Sequence, residues 1–149
     1  MTSSECEGWD NVACEGTDHC PPRCPRYVDD EGDAVLIRPY RESAFESLLK
    51  MYDAIETSTM ALPPNDPDDR EAWLRRLVTD GWNLIATRGD DIIGHVAVVP
   101  ADAAEPEFAI FVHPAYQNRG IGTELLKHVV ARAVDRDHNE LHLNVSRKR

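Results

Sequence analysis

The chain has 149 residues, of which 42% are hydrophobic and 29% are charged, and this balance predicts one globular domain rather than a disordered chain. Sixteen lysine and arginine residues stand against 27 aspartate and glutamate residues, which gives a formal net charge of −11. So acidic a chain lacks the basic footprint that binding to nucleic acid or to an anionic membrane requires, and we expect neither partner.

The first 33 residues lack the regular apolar spacing of helices and strands, and they contain all four cysteines. We predict that residues 1–33 form an irregular, acidic extension to a domain that spans residues 34–149. Four thiolates can bind zinc tetrahedrally, but the C-x7-C-x5-C-x3-C spacing lacks the paired C-x2-C knuckles of strong zinc motifs. A structural zinc and free thiols both remain open. The candidate zinc ligands are Cys6, Cys14, Cys20 and Cys24.

From residue 34 onward the apolar pattern becomes regular. Residues 34–38 are typical of a strand, and residues 41–55 carry apolar side chains at helical spacing. A proline-rich loop at 62–67 precedes two aspartates that favour the start of a second helix. Three strands are then predicted at 82–87, 91–99 and 107–112, followed by a helix at 120–134 and a last strand at 141–145, with a hairpin at 88–90.

The order of these elements predicts the fold class, a mixed α/β sheet. Three consecutive strands are expected to pair antiparallel, and the strands on either side of the last helix are expected to be parallel neighbours. The apolar residues of the last helix predict its buried face. They are Ile121, Leu125, Leu126, Val129, Val130, Ala133 and Val134.

The segment between the strand at 107–112 and the last helix carries the clearest functional signal. A helix N-terminus presents unpaired backbone N–H groups, and Gly120 and Gly122 would let a phosphate approach them closely. Three basic residues and one acidic residue between 113 and 132 give a local charge of +2. The sequence therefore predicts an anion site. A P-loop is excluded because its G-x-x-x-x-G-K-[ST] pattern is absent, and Leu125 stands where a dinucleotide motif needs a third glycine or alanine.

The Q-x-x-G-x-G pattern from Gln117 to Gly122, preceded by Val112-His113-Pro114, resembles motif A of the GNAT superfamily of N-acetyltransferases. The resemblance covers about three-quarters of the chain, and it implies acetyl-CoA as the co-substrate. Backbone amides would hold the diphosphate, and the edge of the preceding strand would pair with the pantetheine arm. The cofactor-binding residues that the resemblance implies are Ile110, Phe111, Val112, Gln117, Asn118, Arg119, Gly120, Ile121, Gly122 and Thr123.

The reaction that the resemblance implies is direct attack of a primary amine on the thioester. The amine must first lose a proton, and Glu107 is our first candidate for the catalytic base. His113 is an alternative base, although a histidine at this position favours capping of the turn. The acceptor is expected to be an amine of a small molecule or a peptide.

The chain ends at Arg149, directly after the last predicted strand, whereas the resemblance implies a further helix and two further strands. We therefore expect a GNAT-like fold that lacks its last elements, and an open sheet edge through which two copies could pair as a homodimer. The alternative function is a non-catalytic acyl-CoA-binding or zinc-stabilised interaction module. The N-terminus lacks a signal peptide, which predicts a cytoplasmic protein, and the acidic, lysine-poor composition is typical of halophilic proteins.

Overall fold

The computed structural model describes residues 24–55, 66–136, 138, 140 and 142–143. The strands of this part of the chain are β1 (Arg26–Val28), β2 (Ala34–Pro39), β3 (Trp82–Arg88), β4 (Asp91–Val99), β5 (Glu107–Val112) and β6 (His142–Leu143). The helices are α1 (Phe45–Asp53), α2 (Pro67–Asp80) and α3 (Ile121–Asp135), with single 3₁₀ turns at Glu42–Ala44 and Pro114–Tyr116. None of these helices is both long and apolar enough to cross a membrane.

The described strands form one sheet in the order β1-β2-β3-β4-β5-β6. Neighbours from β1 to β5 pair antiparallel, whereas β5 and β6 pair in parallel across the α3 crossover. Gly89 adopts a φ of +61° in the tight turn between β3 and β4, a conformation that glycine reaches without steric cost. The predicted antiparallel strands and the predicted parallel crossover are both confirmed.

The sheet is covered on both faces. On one face, α3 packs Ile121, Leu125 and Val129 against Val96 and Val98 of β4. On the other face, α1 and α2 bury a second apolar cluster that includes Phe45, Leu48, Tyr52, Trp73 and Leu74. Alternate residues of a strand point to opposite faces of the sheet. Strand β5 therefore packs side chains against α3 on one face and against α1 and α2 on the other.

The sheet begins earlier than the sequence indicated, because Arg26–Val28 forms β1 inside the segment predicted to be irregular. A strand of three residues is too short to display a period of two. The turn that follows is closed locally, since the Asp29 carboxylate accepts hydrogen bonds from the backbone N–H groups of Glu31 and Asp33, each at 2.9 Å. Gly32 completes this turn with a φ of +87°.

The predicted buried face of α3 is wrong on one side. Leu126, Val130 and Val134 are 37%, 51% and 72% exposed, whereas the polar Glu124 and His128 are buried. Compared with the predicted orientation, the buried face of α3 is shifted toward the side that carries Glu124 and His128. The two buried polar side chains lie together, since a carboxylate oxygen of Glu124 is 3.3 Å from Nε2 of His128. An apolar pattern alone could not reveal this pairing.

A buried polar network links α1 to the sheet. Nδ2 of Asn83 donates to the carbonyl oxygen of Leu77, so Oδ1 of Asn83 faces Nε2 of His95 at 2.7 Å. Nε2 therefore carries the proton of the neutral imidazole, and Nδ1 accepts from the Tyr52 hydroxyl at 2.5 Å. Because every member has a partner, the network fixes the position of α1 on β4.

Burial lowers the pKa of His95 to about 3 from an ordinary value of 6.5. Below about pH 6.5 the unfolded chain takes up a proton at this residue and the folded chain does not, so stability is lost as the pH falls. The loss approaches about 1.4 kcal/mol per pH unit between those two pKa values.

We therefore expect His95→Gln to be less stable than the wild type at pH 7, because the network is broken, and the difference to shrink at pH 5. Urea unfolding of both proteins at the two pH values measures this. A stability difference that stays the same at pH 5 would contradict a neutral, buried His95.

Candidate active site

A closed turn connects β5 to α3. The backbone N–H of Ala115 donates to Nδ1 of His113 at 3.0 Å, and Nε2 of Gln117 donates to the carbonyl oxygen of Val112 at 3.1 Å. His113 is thus engaged in capping the turn, which is the structural role that its position favoured. The two side chains fix the direction in which the chain leaves the sheet.

The residues that follow enter α3 through two left-handed conformations. Asn118 has a φ of +64° and Gly120 has a φ of +89°. The backbone N–H of Glu124 donates to the carbonyl oxygen of Gly120 at 3.0 Å and opens the helical hydrogen-bond ladder. The three N–H groups before it, in residues 121–123, have no intrahelical acceptor and lie at the positive end of the helix dipole. We call residues 117–123 the α3 turn.

The two glycines of the α3 turn differ in their surroundings. A β-carbon on Gly122 would lie 3.7 Å from Cγ2 of Val112, an ordinary contact. A β-carbon on Gly120 would collide with the Tyr27 hydroxyl, and the carboxylate oxygens of Asp30 would lie 3.6 Å away. Gly120 is therefore required both by its φ and by the close approach of Tyr27 from β1.

The charge near the α3 turn is not the +2 that the local sequence predicted. Nη1 of Arg119 lies 2.9 Å from a carboxylate oxygen of Asp33 and 3.4 Å from one of Asp29. A second arginine, Arg88, lies 3.1 Å from Asp33. Burial by itself would raise the pKa of the Asp29 carboxyl, but hydrogen bonds from the backbone of Asp33 and Glu31 and from Arg119 lower it below its ordinary value. The positive charge of Arg119 is therefore balanced by carboxylates next to the α3 turn.

Within the described residues, the edge of β5 beside the α3 turn is unpaired beyond its first two positions. Glu107 and Phe108 pair with β6, and no described strand pairs with the same side of β5 beyond them. The N–H of His113 donates to the carbonyl oxygen of Ile93 in β4, so the alternation along the strand turns the backbone groups of Ile110 and Val112 to the open side. The fold thus places polar backbone of β5 directly next to the α3 turn.

The remaining predicted site residues lie farther from this point. The ring of Phe111 packs on the α1–α2 side, with its centroid 5.3 Å from that of Tyr52 and 5.6 Å from that of Trp73. Glu107 is exposed at the first position of β5, about 17 Å along the strand from Val112 at 3.4 Å per residue. The residues of the α3 turn and the β5 edge are brought together, whereas Glu107 lies at the opposite end of the strand.

The predicted zinc ligands Cys6, Cys14 and Cys20 lie outside the described residues. Cys24 is described, and it is a free, exposed cysteine. Within the part of the chain that the structure describes, no three histidine, cysteine, aspartate or glutamate side chains are grouped so as to hold a metal ion. The structure therefore gives no support to zinc.

Sequence reasoning missed the residues of β1 and of the turn after it that contact the α3 turn. Tyr27, Asp29 and Asp33 all touch Arg119, from which they are separated by about ninety residues. The acidic run and Gly32 could have indicated a turn. Nothing in the sequence could have indicated what this turn contacts, because that depends on β1 joining the sheet.

The sequence profile of the Acetyltransferase (GNAT) family matches residues 45–148 of the chain. The chain therefore belongs to the GNAT family of acetyltransferases, and it is an acyltransferase. The matched region contains β3, β4, β5 and α3, which carry the open edge and the α3 turn. No curated protein gives a significant match.

Solved structures of GNAT proteins share the fold. The GNAT domain of PAT from S. lividans is 26% identical, with 75% of this chain and 72% of that chain covered and a TM-score of 0.61. Ribosomal-protein-alanine N-acetyltransferase from Brucella melitensis biovar Abortus is 21% identical, with 76% and 81% covered and a TM-score of 0.60. A GNAT family acetyltransferase from Brucella melitensis in complex with acetyl-CoA is 18% identical, with 75% and 76% covered and a TM-score of 0.59.

We expect Gly120→Ala to lower the free energy of unfolding by about 1–3 kcal/mol, because it combines a left-handed φ with a collision against Tyr27. Gly122→Ala is the matched control, since its β-carbon has space and alanine favours a helix. Urea unfolding of the two variants measures the difference. Equal stabilities would contradict the described contact between Tyr27 and Gly120.

Proposed function

We propose that the protein transfers the acetyl group of acetyl-CoA to a primary amine of a small molecule or a peptide. The observation that carries this proposal is the position of the unpaired N–H groups of residues 121–123, which lie beside the open edge of β5. A diphosphate and a chain of amides need these two features side by side. A lone helix N-terminus would offer only the first of them.

The α3 turn is suited to the diphosphate of coenzyme A. Its backbone N–H groups can donate to phosphate oxygens, the helix dipole favours negative charge, and Gly122 leaves space for close approach. The bound acetyl-CoA of the similar Brucella melitensis acetyltransferase supports this choice of co-substrate.

The open edge of β5 is suited to the pantetheine arm, whose amides can pair with the strand as an added strand would. No described strand pairs with the N–H and carbonyl of Ile110 or with the N–H of Val112, and the proposal assigns these groups to the arm. The carbonyl of Val112 is already engaged by Gln117 at 3.1 Å. The arm would therefore run from the α3 turn along β5 toward Glu107.

The chemistry requires a neutral amine, because an ammonium has no lone pair with which to attack. In the proposed reaction Glu107 accepts one proton from the ammonium, and the neutral amine nitrogen then bonds to the thioester carbon. The nitrogen loses a second proton to solvent as the carbon–sulfur bond breaks, and coenzyme A leaves as a thiolate that solvent protonates. A backbone N–H on the open edge of β5 stabilises the charge that develops on the carbonyl oxygen.

The test is a thiol-release assay with acetyl-CoA and a panel of primary amines, namely a polyamine, an aminoglycoside and a lysine-containing peptide. We expect at least one amine to release coenzyme A. Glu107→Gln should lower kcat about 10²–10⁴-fold and leave KM for acetyl-CoA unchanged, because an amide cannot accept the proton. Glu105→Gln, which removes a nearby carboxylate of the preceding loop, is the matched control and should keep wild-type rates.

Tight binding of acetyl-CoA without thiol release from any amine would contradict the proposal and favour a non-catalytic acyl-CoA-binding module. Thiol release that survives Glu107→Gln would keep the transfer reaction but remove Glu107 as its base.

A further inference from the structure

The turn between β1 and β2 lies against the α3 turn. The backbone N–H of Asp30 donates to the carbonyl oxygen of Arg119 at 3.0 Å, and the Tyr27 hydroxyl donates to the same oxygen at 3.2 Å. We call residues 29–33 the acidic turn. Two donors on one carbonyl fix the orientation of the peptide that joins Arg119 to Gly120, directly before the free N–H groups of residues 121–123.

The side chain of Arg119 makes a second connection to the acidic turn. Nη1 of Arg119 contacts carboxylate oxygens of Asp33 at 2.9 Å and of Asp29 at 3.4 Å. The guanidinium also lies 4.9 Å from the centroid of the Tyr116 ring, which belongs to the short turn after β5. The Arg119 guanidinium is therefore held between the Tyr116 ring and the acidic turn, and the Asp29 and Asp33 carboxylates balance its charge.

Asp29 is the most constrained member of this connection. Its side chain is fully buried, and one carboxylate oxygen already accepts the N–H groups of Glu31 and Asp33. The other oxygen faces Arg119. A buried carboxylate with these partners holds its position rigidly, because moving away from either partner leaves a charge unpaired.

We propose that Asp29 is a positioning residue for the coenzyme site, and that Arg119 links the acidic turn to the α3 turn instead of binding phosphate directly. The inference rests on the proposed function, since it concerns the site for the diphosphate. The segment that does the positioning, residues 27–33, precedes the region matched by the family profile, which begins at residue 45.

Two roles for Arg119 give opposite results when Asp29 is changed. If Arg119 were a phosphate ligand, Asp29→Asn would remove one of the two carboxylates that compete for its guanidinium and leave binding of acetyl-CoA unchanged or tighter. If Asp29 positions the α3 turn, Asp29→Asn removes the buried one of the two carboxylates that hold Arg119, and binding weakens. Calorimetric titration with acetyl-CoA distinguishes the two.

We expect Asp29→Asn to raise the Kd for acetyl-CoA about ten- to a hundredfold, and Arg119→Gln to raise it similarly. The double variant should bind no more weakly than the weaker single variant, because both changes break one connection. In the thiol-release assay, KM for acetyl-CoA should rise while kcat stays near the wild-type value, which a general loss of structure would not produce.

Asp53→Asn is the matched control, because Asp53 also pairs with an arginine, Arg70 at 2.6 Å, away from the α3 turn. It should bind acetyl-CoA like the wild type. Tyr27→Phe serves if Asp29→Asn fails to fold, since it removes only the hydroxyl that contacts the Arg119 carbonyl, and it should raise the Kd a few-fold.

If Asp29→Asn folds and binds acetyl-CoA as tightly as the wild type, or more tightly, the positioning role is overturned. If Asp29→Asn does not fold, the role is overturned by a folded Tyr27→Phe variant whose affinity for acetyl-CoA is unchanged. A wild-type protein that does not bind acetyl-CoA would instead contradict the proposed function itself, so the two failures are distinguishable.

Discussion

The direction of three backbone N–H groups at the start of α3 is the constraint on which the site depends. A helix N-terminus always leaves such groups unpaired, but they form a site only if the preceding residues turn away from them. Here Asn118 and Gly120 make that turn through left-handed conformations, at φ values of +64° and +89°. Gly120 is essential to it, because a β-carbon would meet both backbone strain and the Tyr27 hydroxyl.

The strand before the turn provides the second half of the arrangement. β5 is paired with β4 along its whole length, but with β6 only through Glu107 and Phe108 in the described residues. Pairing with β4 holds β5 in place, while the backbone groups of Ile110 and Val112 face the side on which no described strand pairs. A chain of amides that enters from the α3 turn meets these groups in order, which is why the two features together favour a pantetheine-bearing substrate.

Much of this arrangement was predictable from local sequence patterns. Apolar segments on either side of the hairpin signal at 88–90 identified antiparallel strands, and the glycines with Gln117 identified the turn into α3. The charge of the site and the buried face of α3 were not predictable, because each depends on residues distant in the sequence. Asp29 and Asp33 meet Arg119 only after β1 has joined the sheet, and the buried Glu124 lies beside the equally buried His128. A pattern of hydrophobicity contains no information on such pairings.

A crystal structure of the protein with coenzyme A would test the central claim most directly. We expect the diphosphate oxygens to lie about 3 Å from the backbone nitrogens of residues 121–123, with the Arg119 guanidinium still paired to Asp29 and Asp33. A diphosphate bound elsewhere on the molecule, or bound by the Arg119 side chain after it has left the two carboxylates, would contradict it.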